Sequence, residues 1–310
     1  MSDELDERKK EPPHLPHLAL VLGSGGVRSI AAVGIAEVLA AEGIRPDLIV
    51  GCSSGALFGA TLAAGMSSRE ALDTAMSLWS AELTQQHRWR AYAQLLAPRW
   101  FGFDAGFALR DDRGIEQRIR RAFGERRLED LPTPLRVVAT EARSGERVVL
   151  RHGALAQALR ASIAVPVIFP SVEVEGRRLV DGVVSDPLPV AVACDAAVVL
   201  TLGFKGAMPR RIDRASRLVA QASTALINNL QQARIDAARN AGQRVFEIEL
   251  GLDRHVGLWE TRAMPHLFEA GRQAARAQLA QIKALLRQVA EQQQHQQQPP
   301  RAPGFGPIAA

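Results

Sequence analysis

Two short turns of small residues constrain this chain more than anything else in it. Gly23-Ser24-Gly25-Gly26-Val27-Arg28 and Gly51-Cys52-Ser53-Ser54-Gly55 each join an apolar, strand-like run to an apolar, helix-like run. His17–Leu22 and Asp47–Val50 lead into them, and Ile30–Glu42 and Ala56–Ala64 lead out. Strand, helix, strand and helix at such short spacing imply parallel strands with right-handed crossovers, so the expected class is α/β. The second turn has the form G-x-S-x-G around Gly51, Ser53 and Gly55, which permits a sharp strand-to-helix turn and exposes the serine hydroxyl. The first, opening at Gly23, offers free backbone N–H groups at a helix start, where negative charge is stabilised. A nucleophile on one turn and an anion cradle on the other are the two parts that acyl transfer needs.

Other uses of the first turn fit less well. A dinucleotide loop of the form G-x-G-x-x-G would need glycine where Arg28 stands, and no lysine follows to complete a P-loop. The N–H groups of Gly25, Gly26 and Val27 are therefore the candidate oxyanion donors, with Ser54 N–H as a further one. Arg28 either anchors the loop or meets a phosphate. Ser53 holds the central position of the elbow, and Cys52 reads as a small packing residue.

The base is the open question. A Ser…Asp…His order would point to His255 or His266, yet neither sits in a short loop straight after a strand. Asp181, in Leu179-Val180-Asp181-Gly182, stands at a strand end beside a tight turn. A carboxylate serves as base to a serine if it lies within about 2.6–3.2 Å and if its pKa is lifted from ~3.9. Burial or a like charge would do this, and Asp186 is the nearest such charge in sequence.

The rest of the chain supplies the scaffold. Residues 1–16 read as a disordered leader, 17–290 as one domain, and 291–310 as a disordered Gln/Pro-rich tail. Within the domain, 79–110 is an aromatic-rich helical segment, read either as packing or as a lid, and 267–289 is a final amphipathic helix. Arg113–Arg127 is an amphipathic helix with a basic face, read as solvated or as membrane-facing. The net charge is +5, and only four lysines contribute to it, so an arginine-rich composition is the plain reading. An anionic lipid surface is the alternative; no finger, RNP-like or helix-turn-helix pattern supports nucleic acid. The 2 cysteines have no metal-like or redox-like spacing, and neither metal nor cofactor is expected. Without a secretory h-region or a run of ~18 apolar residues, the expected location is cytoplasmic, with any membrane contact peripheral to the inner face.

The strings GSGGVR (23–28), DLIVGCSSGALFGATLAAG (47–65), RASIAVPVIFP (160–170) and GRRLVDGVVSDPLPVAVA (176–193) carry a resemblance. On them the chain resembles the patatin-like phospholipase family in its bacterial form. The resemblance implies a three-layer α/β/α sandwich with a mainly parallel central sheet. It also implies hydrolysis of a lipid or acyl-ester substrate by a Ser–Asp dyad without histidine. On that basis Ser53 is the nucleophile, Asp181 the base, and Gly25, Gly26, Val27 and Arg28 the oxyanion hole, with Gly23, Gly51, Gly55 and Gly182 as motif positions. Three residues depart from the pattern: Ser29 and Val183 stand where glycine is usual, and Asp186 where asparagine is common. A β-branched Val183 would be strained if its φ were positive. That departure, together with the basic Arg113–Arg127 helix, leaves open a degenerate, non-catalytic membrane-associated or regulatory module. Oligomeric state is left open by the residues.

Overall fold

Both strand–turn–helix units form, and they lie side by side. In the computed structural model, β1 (Leu18–Leu22) and β2 (Leu48–Cys52) pair in parallel, with Ala19 opposite Leu48 and Leu22 opposite Gly51. The description covers residues 17–79, 106–208 and 211–297, with Ala91, Gln94 and Trp100 in addition. The expected leader, the tail beyond residue 297, and Trp89, Tyr92, Phe101 and Phe103 of the aromatic segment lie outside the described residues.

Around that pair, eight strands form one mixed sheet in the order β5-β6-β3-β2-β1-β7-β8, with β4 beside β3. β3 (Leu135–Glu141), β7 (Val198–Leu202) and β8 (Val245–Glu247) run parallel to β1 and β2. β4 (Arg147–Leu150), β5 (Val172–Val174) and β6 (Arg177–Asp181) are the antiparallel additions. A parallel strand covered on both faces needs apolar residues throughout, and every residue of β1, β2 and β7 is buried.

The two faces are covered by different helices. Leu18, Leu20, Leu22 and Ile49 point into a large cluster with α1 (Ala31–Ala41), α2 (Ser54–Ala63), α3 (Ser68–Leu78) and α7 (Met264–Gln297). Ala19, Val21, Val50 and Val199 point the other way, onto the 3-10 turn Val190–Ala193 and the second half of α6 (Ala215–Asn240). The result is a three-layer α/β/α sandwich with a mostly parallel sheet. The last helix runs to Gln297, beyond the expected end at residue 289. Its continuation EQQQHQQ contains good helix formers, whose propensity outweighs their low complexity.

The basic helix α4 (Arg113–Phe123) turns its apolar side inward and its arginines to the surface. Its apolar residues Ile115, Ile119 and Phe123 are buried, and α5 (Leu155–Ser162) packs near it. Arg113 pairs with Asp111, Arg120 with Glu116 and Glu125, and Arg127 with Glu129.

Candidate active site

The serine turn is tight because its glycines face backbone. A Cβ at Gly51 would overlap the Ala56 backbone, and one at Gly55 the carbonyl oxygens of Leu22 and Gly23. Ser53, between them, takes φ 56° and ψ −128° as the residue before α2. For a non-glycine residue this conformation costs of order 1–3 kcal/mol, and it persists because the surroundings hold it. Ser53 N–H donates to Ser162 Oγ at 2.8 Å, and Ser162 Oγ donates to Val138 O at 2.6 Å. The helix α5 thereby supports the turn from behind.

Asp181 closes the arrangement. It ends β6 in pairing with Ala139 of β3, which sets its carboxylate beside the end of β2. Ser53 Oγ donates to Asp181 Oδ2 at 2.7 Å, and Val183 N–H donates to Oδ1 at 2.8 Å. Asp181 is fully buried and Ser53 is 8% exposed. Burial pushes the carboxyl up from 3.8 to about 7, against the opposing pull of the bonds from Val183 N–H and Ser53 O–H. Asp186 is not the source of that shift. Its carboxylate accepts from Arg147 at 2.6 Å and lies 3.5 Å from Arg234. Val183 has no positive φ, so the valine in place of glycine is unstrained.

Among the described residues no histidine bonds to Ser53, and His255 and His266 are both exposed. Cys52 is buried, and burial together with Asp181 and Asp186 pushes its thiol well above its ordinary value. The geometry unites Ser53 with Asp181 and leaves the other candidates outside. Metal-binding groupings of His, Cys, Asp and Glu are absent among the described residues.

The first glycine turn packs against the start of α2. Gly25 N–H donates to Ser54 Oγ at 3.1 Å, and Ser29 Oγ lies 2.9 Å from the same oxygen. Serine in place of the usual glycine at position 29 thus adds a hydroxyl that ties the two turns together. Arg28 anchors the turn: its guanidinium donates to Gly25 O and Lys205 O and lies 5.1 Å from the Phe204 ring centroid. Its side chain lines a cavity of about 350 Å³ with Gln231 and Thr201, a cavity that does not include Ser53.

Of the four expected oxyanion donors, three are already engaged. Gly25 N–H is held by Ser54, Arg28 N–H by Gly25 O at 3.3 Å, and Val27 N–H by Leu258 O at 3.0 Å. Gly26 N–H and Ser54 N–H have no acceptor among the described residues. The strap that carries Leu258 lies directly on Gly26, where φ is +59° and a Cβ would overlap the Leu258 carbonyl. It is pinned by Trp259, stacked on Trp79 at 4.8 Å and edge-on to Phe169 at 6.3 Å. A separate cleft of about 960 Å³ opens beside Val180 and Val184, but contains neither Ser53 nor Asp181.

Ser162 and Leu258 escaped the reading of the sequence, and Ser29 was read there only as a departure from the pattern. Ser162 lies in RASIAVPVIFP and had a signal there; Leu258 lies in an irregular segment with none.

The family model for patatin-like phospholipase matches residues 20–194, which hold both turns and Asp181. The chain belongs to the patatin-like phospholipase family. An uncharacterized NTE family protein of Mycobacterium bovis is 36% identical over 200 residues, covering 63% of this chain and 52% of its own length. Patatin-like phospholipase domain-containing protein 7 of Rattus norvegicus is 32% identical over 178 residues, 57% of this chain and 12% of the rat protein. The chain spans about half the length of the mycobacterial relative. Among solved structures, VipD from Legionella pneumophila covers 84% of the chain at 15% identity with a TM-score of 0.41.

Proposed function

We propose that this patatin-like chain is a serine lipid acyl hydrolase, a carboxylic ester hydrolase that works through Ser53 and Asp181 without metal or cofactor. The observation that carries this is the 2.7 Å hydrogen bond from a strained, nearly buried serine to a buried carboxylate. With its carboxyl lifted to about 7, Asp181 is a stronger base than an ordinary aspartate, about half ionised at neutral pH and increasingly so above it.

Ser53 Oγ attacks the ester carbonyl carbon while its proton passes to Asp181 Oδ2. The carbonyl oxygen gains the negative charge and is met by Gly26 N–H and Ser54 N–H. As the tetrahedral species collapses, the bond to the alcohol breaks and Asp181 returns the proton to that oxygen. Water then gives a proton to Asp181, its oxygen attacks the acyl carbon, and Ser53 recovers its proton as the acid leaves. Val27 N–H joins the donors only when Leu258 withdraws. The acyl ester acted on is a lipid on the strength of family membership, and the working location is the cytoplasm or the inner membrane face. No helix among the described residues is long and apolar enough to cross a membrane. Val183 carries no strain and donates to Asp181, which takes away one of the two grounds for the non-catalytic alternative, the other being the basic helix.

Labelling by a fluorophosphonate, read by intact mass, tests the reading on the full chain. One adduct on the wild type, absent from Ser53→Ala and Asp181→Asn, is the expected result. Labelling that survives Asp181→Asn would assign the base elsewhere. A folded wild type that takes no label would leave a non-hydrolytic protein.

A further inference from the structure

Among the described residues, the buried positions of α6 all lie in its second half. Gln231, Ile235 and Ala238 are its buried residues, whereas every residue from Arg211 to Ala220 is exposed. Yet the exposed half is amphipathic: Ala215, Leu218, Val219, Ala222 and Leu226 follow i, i+3, i+4, i+7 and i+11 spacing and share one face. Leu226 is 70% exposed and Val219 64%. Apolar faces of this kind are normally buried against something.

The topology says where this face points. β7 is parallel to β1 and β2, so its carboxyl end lies at the sheet edge that carries Ser53. α6 follows β7 and returns toward β8, which is again parallel. Its buried second half therefore lies on the sheet, and its first half, about 18 Å long at 1.5 Å per residue, runs at the Ser53 end of the sheet. Other exposed apolar residues share that edge. Val184 follows Asp181, Leu258 lies on Gly26, and Val167 sits just past Ala164, whose carbonyl accepts from Asp181 N–H.

Charge selects the partner. Between Phe204 and Ile235 the sequence holds Lys205, Arg210, Arg211, Arg214, Arg217 and Arg234 against one acid, Asp213, which pairs with Arg217. An isologous contact between two copies of this segment would bring their arginines together with only Asp213, already paired with Arg217, to meet them. An apolar stripe bordered by arginines instead matches the interface of an anionic bilayer, where acyl chains take the stripe and headgroups the guanidinium groups. We propose that the first half of α6, with Arg211, Arg214 and Arg217, is the surface by which this chain docks on an anionic lipid membrane, Ser53 edge inward. That this delivers substrate rests on the hydrolase reading; the docking itself does not.

The test uses the full chain as Ser53→Ala, so that the vesicles stay intact, in sedimentation with sucrose-loaded vesicles. Phosphatidylcholine alone is compared with phosphatidylcholine containing phosphatidylglycerol. The expected result is strong partitioning to the anionic vesicles and weak partitioning to the neutral ones. Arg211→Gln/Arg214→Gln/Arg217→Gln should lower anionic partitioning by roughly two orders of magnitude. Leu218→Ser/Val219→Ser/Leu226→Ser should lower it comparably, with thermal melts confirming that both variants fold. Equal binding of parent and variants, or no binding to either vesicle, overturns the proposal. So does a dimer in sedimentation velocity that the serine variant abolishes while vesicle binding is absent, which would make the stripe a contact between copies. Docking without fluorophosphonate labelling of the wild type would sink the hydrolase reading alone, and labelling without docking would sink this one alone.

Discussion

The two walls of the site are built to different standards. On the Ser53–Asp181 wall every polar contact is closed: hydroxyl to carboxylate, Val183 N–H to the same carboxylate, Ser53 N–H to Ser162. On the Gly25–Arg28 wall, Val27 N–H is occupied by the Leu258 carbonyl of a strap that belongs to another part of the chain. The first wall is rigid because its strain and burial require complete hydrogen bonding. The second is an interface between a turn and an irregular segment, the kind of contact that opens at modest cost. Under the proposed mechanism, proton transfer is thus preorganised, and one proposed oxyanion donor, Val27 N–H, is covered by the strap.

The largest effect that would test this contrast comes from Asp181→Asn. Turnover of a soluble ester should fall roughly 10³-fold or more, because the amide cannot take the Ser53 proton. Stability should move the other way. A carboxyl raised to about 7 in the folded state holds its proton where the unfolded chain has lost it, so wild-type stability falls as pH rises from about 4 through 7. Asparagine removes that penalty. At pH 8 the variant should therefore be more stable, by at most roughly 4 kcal/mol, and the advantage should vanish as pH falls toward 4. Urea unfolding at both pH values reads it; an equal difference at both would mean that Asp181 is not raised.

Ser162→Ala probes the same wall from behind. It leaves Ser53 N–H and Val138 O without their partner, at a cost of about 1–3 kcal/mol. Freed from that bond, Ser53 should relax from its positive φ and labelling by the fluorophosphonate should slow by an order of magnitude or so. Unchanged labelling in a folded Ser162→Ala would show that the elbow holds itself.

Most of this architecture was legible in the sequence. Strand ends and glycine turns are local, so Leu18–Leu22, Leu48–Cys52 and the elbow between Gly51 and Gly55 could be read directly. Asp181 was legible as a candidate because a carboxylate at a strand end is itself a local feature, and its pairing to Ser53 came from the family resemblance. What the sequence hid is non-local. Nothing in Asp186 announces that Arg147 and Arg234 would claim its charge, and nothing in Leu258 that its carbonyl would find Val27. Two amphipathic stretches make the same point, since both carry a helical apolar periodicity. α4 buries Ile115, Ile119 and Phe123, whereas the apolar face of the first half of α6 stays exposed. Which outcome a helix meets is decided by tertiary neighbours.

A smaller effect bears on the gated wall. Trp259→Ala removes the stack on Trp79 and the edge contact with Phe169 that hold the strap. The expected cost is roughly 2 kcal/mol of stability, below that of a fully buried tryptophan because this ring is only partly buried. Fluorophosphonate labelling should speed up severalfold as Val27 N–H becomes available to the phosphoryl oxygen. Trp259→Phe, which keeps a ring on Trp79, should stay near the wild-type rate. Slower labelling in Trp259→Ala would mean that the strap is part of the site and does not gate it.

The smallest expected effect decides what tunes the base. If a like charge at Asp186 raised Asp181, removing it would lower the midpoint at which activity rises with pH. The structure ties Asp186 to Arg147 at 2.6 Å, with Arg234 close by, and Asp186 is not among the causes of the Asp181 shift. The shift of Asp181 has burial as its cause. Replacing Asp186 alone would leave Arg147 uncompensated and lower the midpoint for an unrelated reason. The double variant Asp186→Asn/Arg147→Gln removes the pair as a unit and keeps a hydrogen-bonding side chain at each position. Its profile of kcat/KM on a soluble ester should rise through the same midpoint as the wild type, near pH 7, with only a modest change in the plateau. A midpoint a unit or more lower would return the tuning to electrostatics, and the first wall would then depend on a cluster outside itself.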